Sequence, residues 1–394
     1  MMEFRSSSAL TFGMELELQI VSSETGALSP SSLAFWESVK DSRDAPRYSL
    51  EATLSTIELN TSVHTDADAM ASEALRLTRT LCDLAASRSL LIRGGGTQRT
   101  QFWNERIMAP TERARLLKSR FGYLPKRFST YGMHVHVGMP DGDEAIRVGN
   151  GLQACAPLFI ALSAASPFLQ MADTGFCASR PLEPLVYPHG GPMPRLPDWR
   201  TFEERAAEIF STPLASSLND VYWDVRPKPE FGTVEVRVFD TPLSVAKAVG
   251  LAAFTRAMAA RLLAGGLALP ATPPPPTAER VSRFLACRDG LEAELFDPFA
   301  LRWKPARTWF EESVSAIERA PVCEADLRRI LHLRRHLEVE SDSTTMRRSW
   351  QAMVGGDDEG PDPGPDLARY SAELADRLLQ PMSQTLLARP PLGA

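Results

Sequence analysis

The chain has 394 residues, of which 44% are hydrophobic and 23% charged, the make-up of a folded globular protein with a large core. A formal net charge of −6 argues against binding a nucleic-acid backbone as its main task, while leaving room for a local basic pocket. Five cysteines (Cys82, Cys155, Cys177, Cys287 and Cys323) form no CxxC pair, which fits free thiols better than a disulfide frame or a zinc site. The N-terminus, MMEFRSSSAL, lacks the apolar core of a signal peptide, and no apolar run is long enough to span a bilayer. A cytoplasmic enzyme is expected.

In chain order, GMELELQIV, LEATLSTIELNT, LLIRGGGT, YGMHVHVGMP and GTVEVRVFDTP read as strands, alternating or β-rich and ended by Gly, Pro or Asn. Helices are predicted at DADAMASEALRLTRTLCDLAASRS, PTERARLLKSRFG and VGNGLQACAPLFIALSAAS, then from about Ser244 to Ala264. The Pro-rich GGLALPATPPPPT cannot continue that last helix. Residues from about Thr277 to Gln351 read as helices rich in Arg, Glu and Leu. The expected organisation is a catalytic core over 1–270, a helical part over 271–354 packed on the same domain, a mobile acidic Gly/Pro linker over 355–366, and a last helix and tail over 367–394, interrupted at Pro381.

Side chains two apart on a strand share a face. Glu15 and Glu17 therefore project together, as do His134 and His136, and Glu235 and Arg237. Glu51 and Glu58 lie seven apart and need a bulge or turn between them to converge. Singly, each has an ordinary explanation: a solvated strand face, a satisfied structural histidine, a surface ion pair. Together they place five carboxylates and two imidazoles on strands whose other faces are apolar. Burying that much negative charge without compensation is costly or forces protonation. Divalent cations remove the conflict, and carboxylate-rich ligation with an occasional imidazole suits Mg²⁺ or Mn²⁺. Arg237 beside them could stabilise charge on a transferring phosphoryl group.

The series GMELELQ, LEATLSTIELNT, GMHVHVGM, SPF…DTGF.ASR, YWDVRP and GTVEVRVFD resembles the type 2 glutamate–cysteine ligase family, the carboxylate–amine ligases, over roughly residues 10–265. More distantly it resembles the catalytic domain of glutamine synthetase. The resemblance implies an α+β fold, with a curved antiparallel sheet forming an active-site funnel and helices on its outer face. It implies Glu17, Glu51 and Glu58 as ligands of one metal and Glu15, His134 and Glu235 as ligands of a second. His136 would contact nucleotide phosphates and Arg237 the transferred γ-phosphate, with Arg237 and Glu235 central to catalysis. Arg180 in CASRP and Arg226 in WDVRP would anchor substrate carboxylate or phosphate. The Gly-rich GGGT at 94–97 would bring backbone near substrate or simply make a tight turn.

The reaction so implied is ATP-dependent amide formation through an acyl phosphate, with glutamate as donor and cysteine or another small amine as acceptor, in a homodimer that binds neither nucleic acid nor membrane. Two other readings stay open on the residues: a metal-dependent hydrolase of a phosphate ester or amide on the same cluster, and a non-catalytic nucleotide-sensing protein. The C-terminal third, including VSRFLACRDGLEAEL and VESDSTTMRRSW, departs from the family pattern.

Overall fold

A computed structural model describes residues 2–127, 130–354 and 366–380. Its centre is an antiparallel sheet of seven strands: β1 (Phe12–Ser22), β2 (Tyr48–Leu50), β3 (Thr56–Asn60), β4 (Leu90–Arg93), β5 (Gly132–Gly138), β6 (Val225–Lys228) and β7 (Thr233–Asp240). Their order is β6-β7-β5-β1-β3-β2, with β4 pairing the far end of β1. β1 is long enough to pair β5 over Phe12–Leu16 and β4 over Gln19–Ser22 on one side, and β3 over Glu15–Gln19 on the other.

Alternation decides the two faces. Met14, Leu16 and Leu18 of β1, Met133, Val135 and Val137 of β5, and Val234, Val236 and Val238 of β7 are buried. They share one apolar cluster with helices α1 (Ala67–Ala86), α2 (Gly142–Ala154), α3 (Ala156–Ser163) and α4 (Val245–Leu263). Asp66 caps α1 by accepting from the Asp68 and Ala69 N–H groups, and Ser244 caps α4 by accepting from Lys247 N–H. Glu15, Glu17, His134, His136, Glu235 and Arg237 fall on the opposite face and line a cavity.

Three stretches differ from expectation. VGNGLQACAPLFIALSAAS is two helices, α2 and α3, bent by 56° at Cys155, because Pro157 in the first turn of α3 cannot extend the preceding helix. Both are largely buried, and no single described helix is long and apolar enough to cross a membrane. Residues 277–351 are not all helical: a hairpin of β8 (Glu294–Asp297) and β9 (Arg302–Pro305) interrupts them. Asp297 makes its turn, accepting from Phe299 and Ala300 N–H, and Lys304 Nζ sits 2.6 Å from Asp297 Oδ2. The Pro-rich run does end α4, yet the next helix begins at Pro276 within it, in the first turn where a missing N–H costs nothing.

Among the helices of the C-terminal part are α5 (Glu324–Val339), α6 (Asp342–Val354) and α7 (Asp366–Arg377). α7 is held by fully buried Arg93, which donates to Gln19 Oε1 (2.9 Å), Gln98 Oε1 (3.0 Å) and Ser371 Oγ (3.2 Å). Of the expected linker over 355–366, residues 355–365 lie outside the described residues, as does the interruption at Pro381, and Asp366 opens α7.

Candidate active site

Sheet register brings the polar row together. Glu15 pairs with His134 across β1 and β5, Glu17 with Glu58 across β1 and β3, and Glu235 with His136 across β7 and β5. Arg226 pairs with Glu235 across β6 and β7. Residues more than 200 positions apart in the chain thus meet in one cavity of about 520 Å³.

Glu15 bridges the two imidazoles, with Oε2 2.8 Å from His134 Nδ1 and Oε1 3.2 Å from His136 Nε2. Glu235 Oε1 lies 3.8 Å from His134 Nδ1 and contacts the Arg237 guanidinium. Glu17 Oε2 accepts from Gly132 N–H at 2.5 Å, while its Oε1 is 3.9 Å from His134 Nε2. Asn60 Nδ2 donates to Glu58 Oε1 at 3.0 Å. Glu51 follows β2 in a loop, with its Oε2 accepting from Ala52 N–H at 3.2 Å and its side chain within hydrogen-bonding reach of Glu58. The turn between Glu51 and Glu58 required by their spacing is the break between β2 and β3.

Among the described residues, two groups bring their donor atoms within 4.8 Å of one another: Glu15, His134 and Glu235, and Glu17, Glu58 and His134. His134 stands in both. Glu51 is outside the second group as its rotamer stands, although it faces Glu17 and Glu58 closely enough to feel their charge.

Electrostatics divides the site. Burial pushes the Glu235 carboxyl up, but Arg226, Arg237 and the two imidazoles outweigh it and hold the group well below the usual carboxylate range. Burial likewise raises Glu15, and its hydrogen bonds to His134 and His136 bring it below that range. Across the site the balance reverses. Burial, then the charge of Glu17, pushes Glu51 up to about 7, and burial with Glu51, Glu15 and Glu17 pushes Glu58 well above its ordinary value. Burial and the positive charge of Arg237 press His134 toward its neutral form, the form that ligates a metal. This donor set fits divalent cations: oxygen-rich, net negative, with one neutral imidazole between two carboxylate groups.

The arginines differ in availability. Arg226 donates through Nε (3.0 Å) and Nη2 (2.7 Å) to Glu235 Oε2, and through Nη1 to the Leu218 and Val221 carbonyls. Each of its three nitrogens is engaged by protein, so it holds Glu235 in place rather than standing free for a substrate. Arg180 reaches the Arg237 carbonyl through Nη1 at 3.3 Å, and its buried Nε has no partner among the described residues. The GGGT glycines do not line the cavity. Gly94 packs so close to Pro242 that a Cβ would lie 2.0 Å from its carbonyl oxygen, and Gly95 has φ +103°, so close backbone packing and a turn account for them.

The cavity also has walls that sequence reasoning missed. Arg113 and Lys228 line it, fixed through Asn219: Arg113 Nη2 donates to its carbonyl at 2.9 Å and Lys228 Nζ to its Oδ1 at 3.0 Å. Tyr187, Tyr222, Trp223, Asp224 and Phe231 add an aromatic and polar side. Of these, only Tyr222, Trp223 and Asp224 stood within a recognised motif, YWDVRP.

A family model described as glutamate-cysteine ligase family 2 (GCS2) matches residues 11–355. A protein of Bordetella avium (strain 197N) named "Putative glutamate--cysteine ligase 2" is 40% identical over 300 residues, 75% of this chain and 73% of that protein. A namesake in Janthinobacterium sp. (strain Marseille) is 40% identical over 298 residues, 76% of this chain and 80% of that protein. In fold, the chain is similar to the glutamate–cysteine ligase of Francisella tularensis solved in complex with AMP, with a TM-score of 0.63 at 15% identity, covering 98% of this chain and 94% of that one. It is also similar to a bifunctional glutathione synthetase of Pasteurella multocida, with a TM-score of 0.61 at 14% identity, covering 93% and 53%. The architecture is the glutamine synthetase-like one, an open curved sheet with helices behind it.

Proposed function

The chain belongs to glutamate–cysteine ligase family 2 and is an ATP-dependent carbon–nitrogen ligase of that type, and we propose that it forms a γ-glutamyl amide through an acyl phosphate. One observation carries this reading: His134 stands in both acidic groups, with Arg237 and Arg180 lining the same cavity. That is the arrangement needed to gather the charge of a nucleotide's phosphates and a substrate carboxylate in one place.

In the first step a carboxylate oxygen of glutamate attacks the γ-phosphorus of ATP, and the bond to the ADP oxygen breaks. In the second the free amine attacks the acyl carbon, its surplus proton leaves, and inorganic phosphate departs with the former carboxylate oxygen. Arg237, fixed by Glu235, meets the negative charge of the phosphoryl group in transit. Arg180, whose buried Nε has no partner among the described residues, meets an anionic group of the donor. Arg226 keeps Glu235 ionised and oriented, and the cavity walls exclude water from the acyl phosphate. Glu15, His134 and Glu235 would hold one Mg²⁺ or Mn²⁺, and Glu17 and Glu58, with Glu51 beside them, a second. Such ions, when bound, supply positive charge to phosphate oxygens.

The test is to incubate the protein with Mg·ATP, glutamate and a panel of small amines, following ADP and amide by mass spectrometry. ADP release that depends on one amine, with a matching amide, supports the reading. Folded, metal-loaded protein that releases no ADP with any amine overturns it.

A further inference from the structure

Phe231 sits in the turn between β6 and β7 and lines the cavity, yet 60% of its surface is exposed. A large aromatic side chain left open at the rim of a charged cavity is a ready stacking surface.

Its position is fixed from several sides. Phe231 N–H donates to the Lys228 carbonyl at 3.0 Å, and Arg5 N–H ties Pro229 to the N-terminal segment at 2.9 Å. Gly232 has φ +66°, and a Cβ there would lie 1.8 Å from the Arg5 carbonyl oxygen, so only glycine fits behind the ring. The ring meets His136 edge-on at 6.0 Å between centroids, and Lys228 Nζ lies 5.4 Å from its centroid. That ammonium is itself pinned to Glu230 Oε1 at 2.7 Å.

Phe231 precedes Glu235 by four residues on the same hairpin, on the order of 10 Å along the strand. Between them stands His136, whose Nε2 is 3.9 Å from Glu235 Oε1. An exposed ring, an imidazole and then the Glu235–Arg237 pair thus follow one another along the cavity wall, an aromatic face at one end and positive charge at the other, as the base and terminal phosphate of an extended nucleotide require.

We propose that Phe231 is the platform on which the nucleotide's base stacks, which sets the direction of ATP in the cavity: base at the β6–β7 turn, phosphates running past His136 to Arg237. This rests on the ligase reading above. It leaves the opposite end of the cavity, around Glu17, Glu51 and Arg180, to the acyl donor.

The experiment is calorimetric titration of the full chain with Mg·ADP and, separately, with inorganic tripolyphosphate, which has charge but no base. The variants are F231A, F231L, which keeps apolar bulk without an aromatic face, and F231W. F231A and F231L are expected to weaken ADP roughly ten-fold and leave tripolyphosphate unchanged. F231W is expected to restore ADP binding and to have its indole fluorescence quenched by it. ADP affinity unmoved in F231A, or an equal loss for both probes, overturns the platform. Should tripolyphosphate bind none of the proteins, the contrast between F231L and F231W for ADP decides. Failure of the unaltered protein to bind ADP overturns the ligase reading itself, and with it this inference. Thermal melts of the variants matching the parent exclude a folding defect.

Discussion

Glu15 and His134 face each other across β1 and β5, with 2.8 Å between carboxylate oxygen and imidazole Nδ1. The same imidazole points its Nε2 toward Glu17, 3.9 Å away. A single histidine therefore separates the two acidic halves of the cavity, and its neutral form is set by burial and by Arg237. Replacing it by Gln is expected to reduce amide formation by at least a hundred-fold. Far-UV circular dichroism of the variant should match the parent.

The acidic half around Glu17, Glu51 and Glu58 is repulsive in the metal-free protein, since burial and neighbouring charges raise Glu51 and Glu58. Added Mg²⁺ or Mn²⁺ should raise the melting temperature by mass action, more as concentration exceeds Kd. Glu58→Gln removes one of the repelling charges. It is expected to melt higher than the parent in chelator and to lose most of the metal-dependent rise, as read by differential scanning fluorimetry.

Arg226 and Arg237 both contact Glu235, but one is deeply buried and the other faces the cavity. Arg226→Met leaves a buried carboxylate short of its main partner and is expected to cost about 3–5 kcal/mol of stability. Arg237→Met should leave the unfolding free energy within about 1 kcal/mol of the parent, because Arg226 still holds Glu235, while turnover falls by two or more orders of magnitude. Urea unfolding and initial rates measured on both variants separate the two roles.

At the end of β7, burial pushes the Asp240 carboxyl up to about 6 against the opposing charges of Arg180 and Lys247 and the donors Ser166 and Ala165 N–H. Its Oδ1 is buried without a partner among the described residues. A carboxyl whose pKa is raised on folding stabilises fully below its unfolded value, and that contribution is lost as pH climbs from about 4 through about 6. Stability of the parent should therefore fall over that window relative to Asp240→Asn, by roughly 3 kcal/mol at pH 8. Urea denaturation of both proteins between pH 4 and pH 8 reads the difference directly.

The strands that carry the site were legible because each has apolar residues on one face and ionisable ones on the other: β1, β5 and β7 lie where alternation placed them. Even the turn between Glu51 and Glu58 followed from their spacing. Pairing was harder to read. That His134 stands between the two acidic groups depends on which residue of β5 meets Glu15, and that Arg226 is consumed by Glu235 depends on the register of β6 on β7. A lone four-residue strand such as VRPK has no period long enough to announce itself. The hairpin at 294–305 was masked by surrounding helical composition, and its signal was local: Asp297 before Pro298 at the turn. Arg113 and Lys228 reach the cavity through Asn219, a relation no spacing in the chain encodes.

The central claim is that a carboxylate is activated by phosphorylation before an amine captures it. Glutamate labelled with ¹⁸O in its side-chain carboxylate, supplied with Mg·ATP and the amine that supports ADP release, tests this most directly. The expected result is one labelled oxygen in each phosphate released, with amide formed in equal amount to ADP and none when ATP is omitted. Unlabelled phosphate, or product formed without ATP, would contradict it.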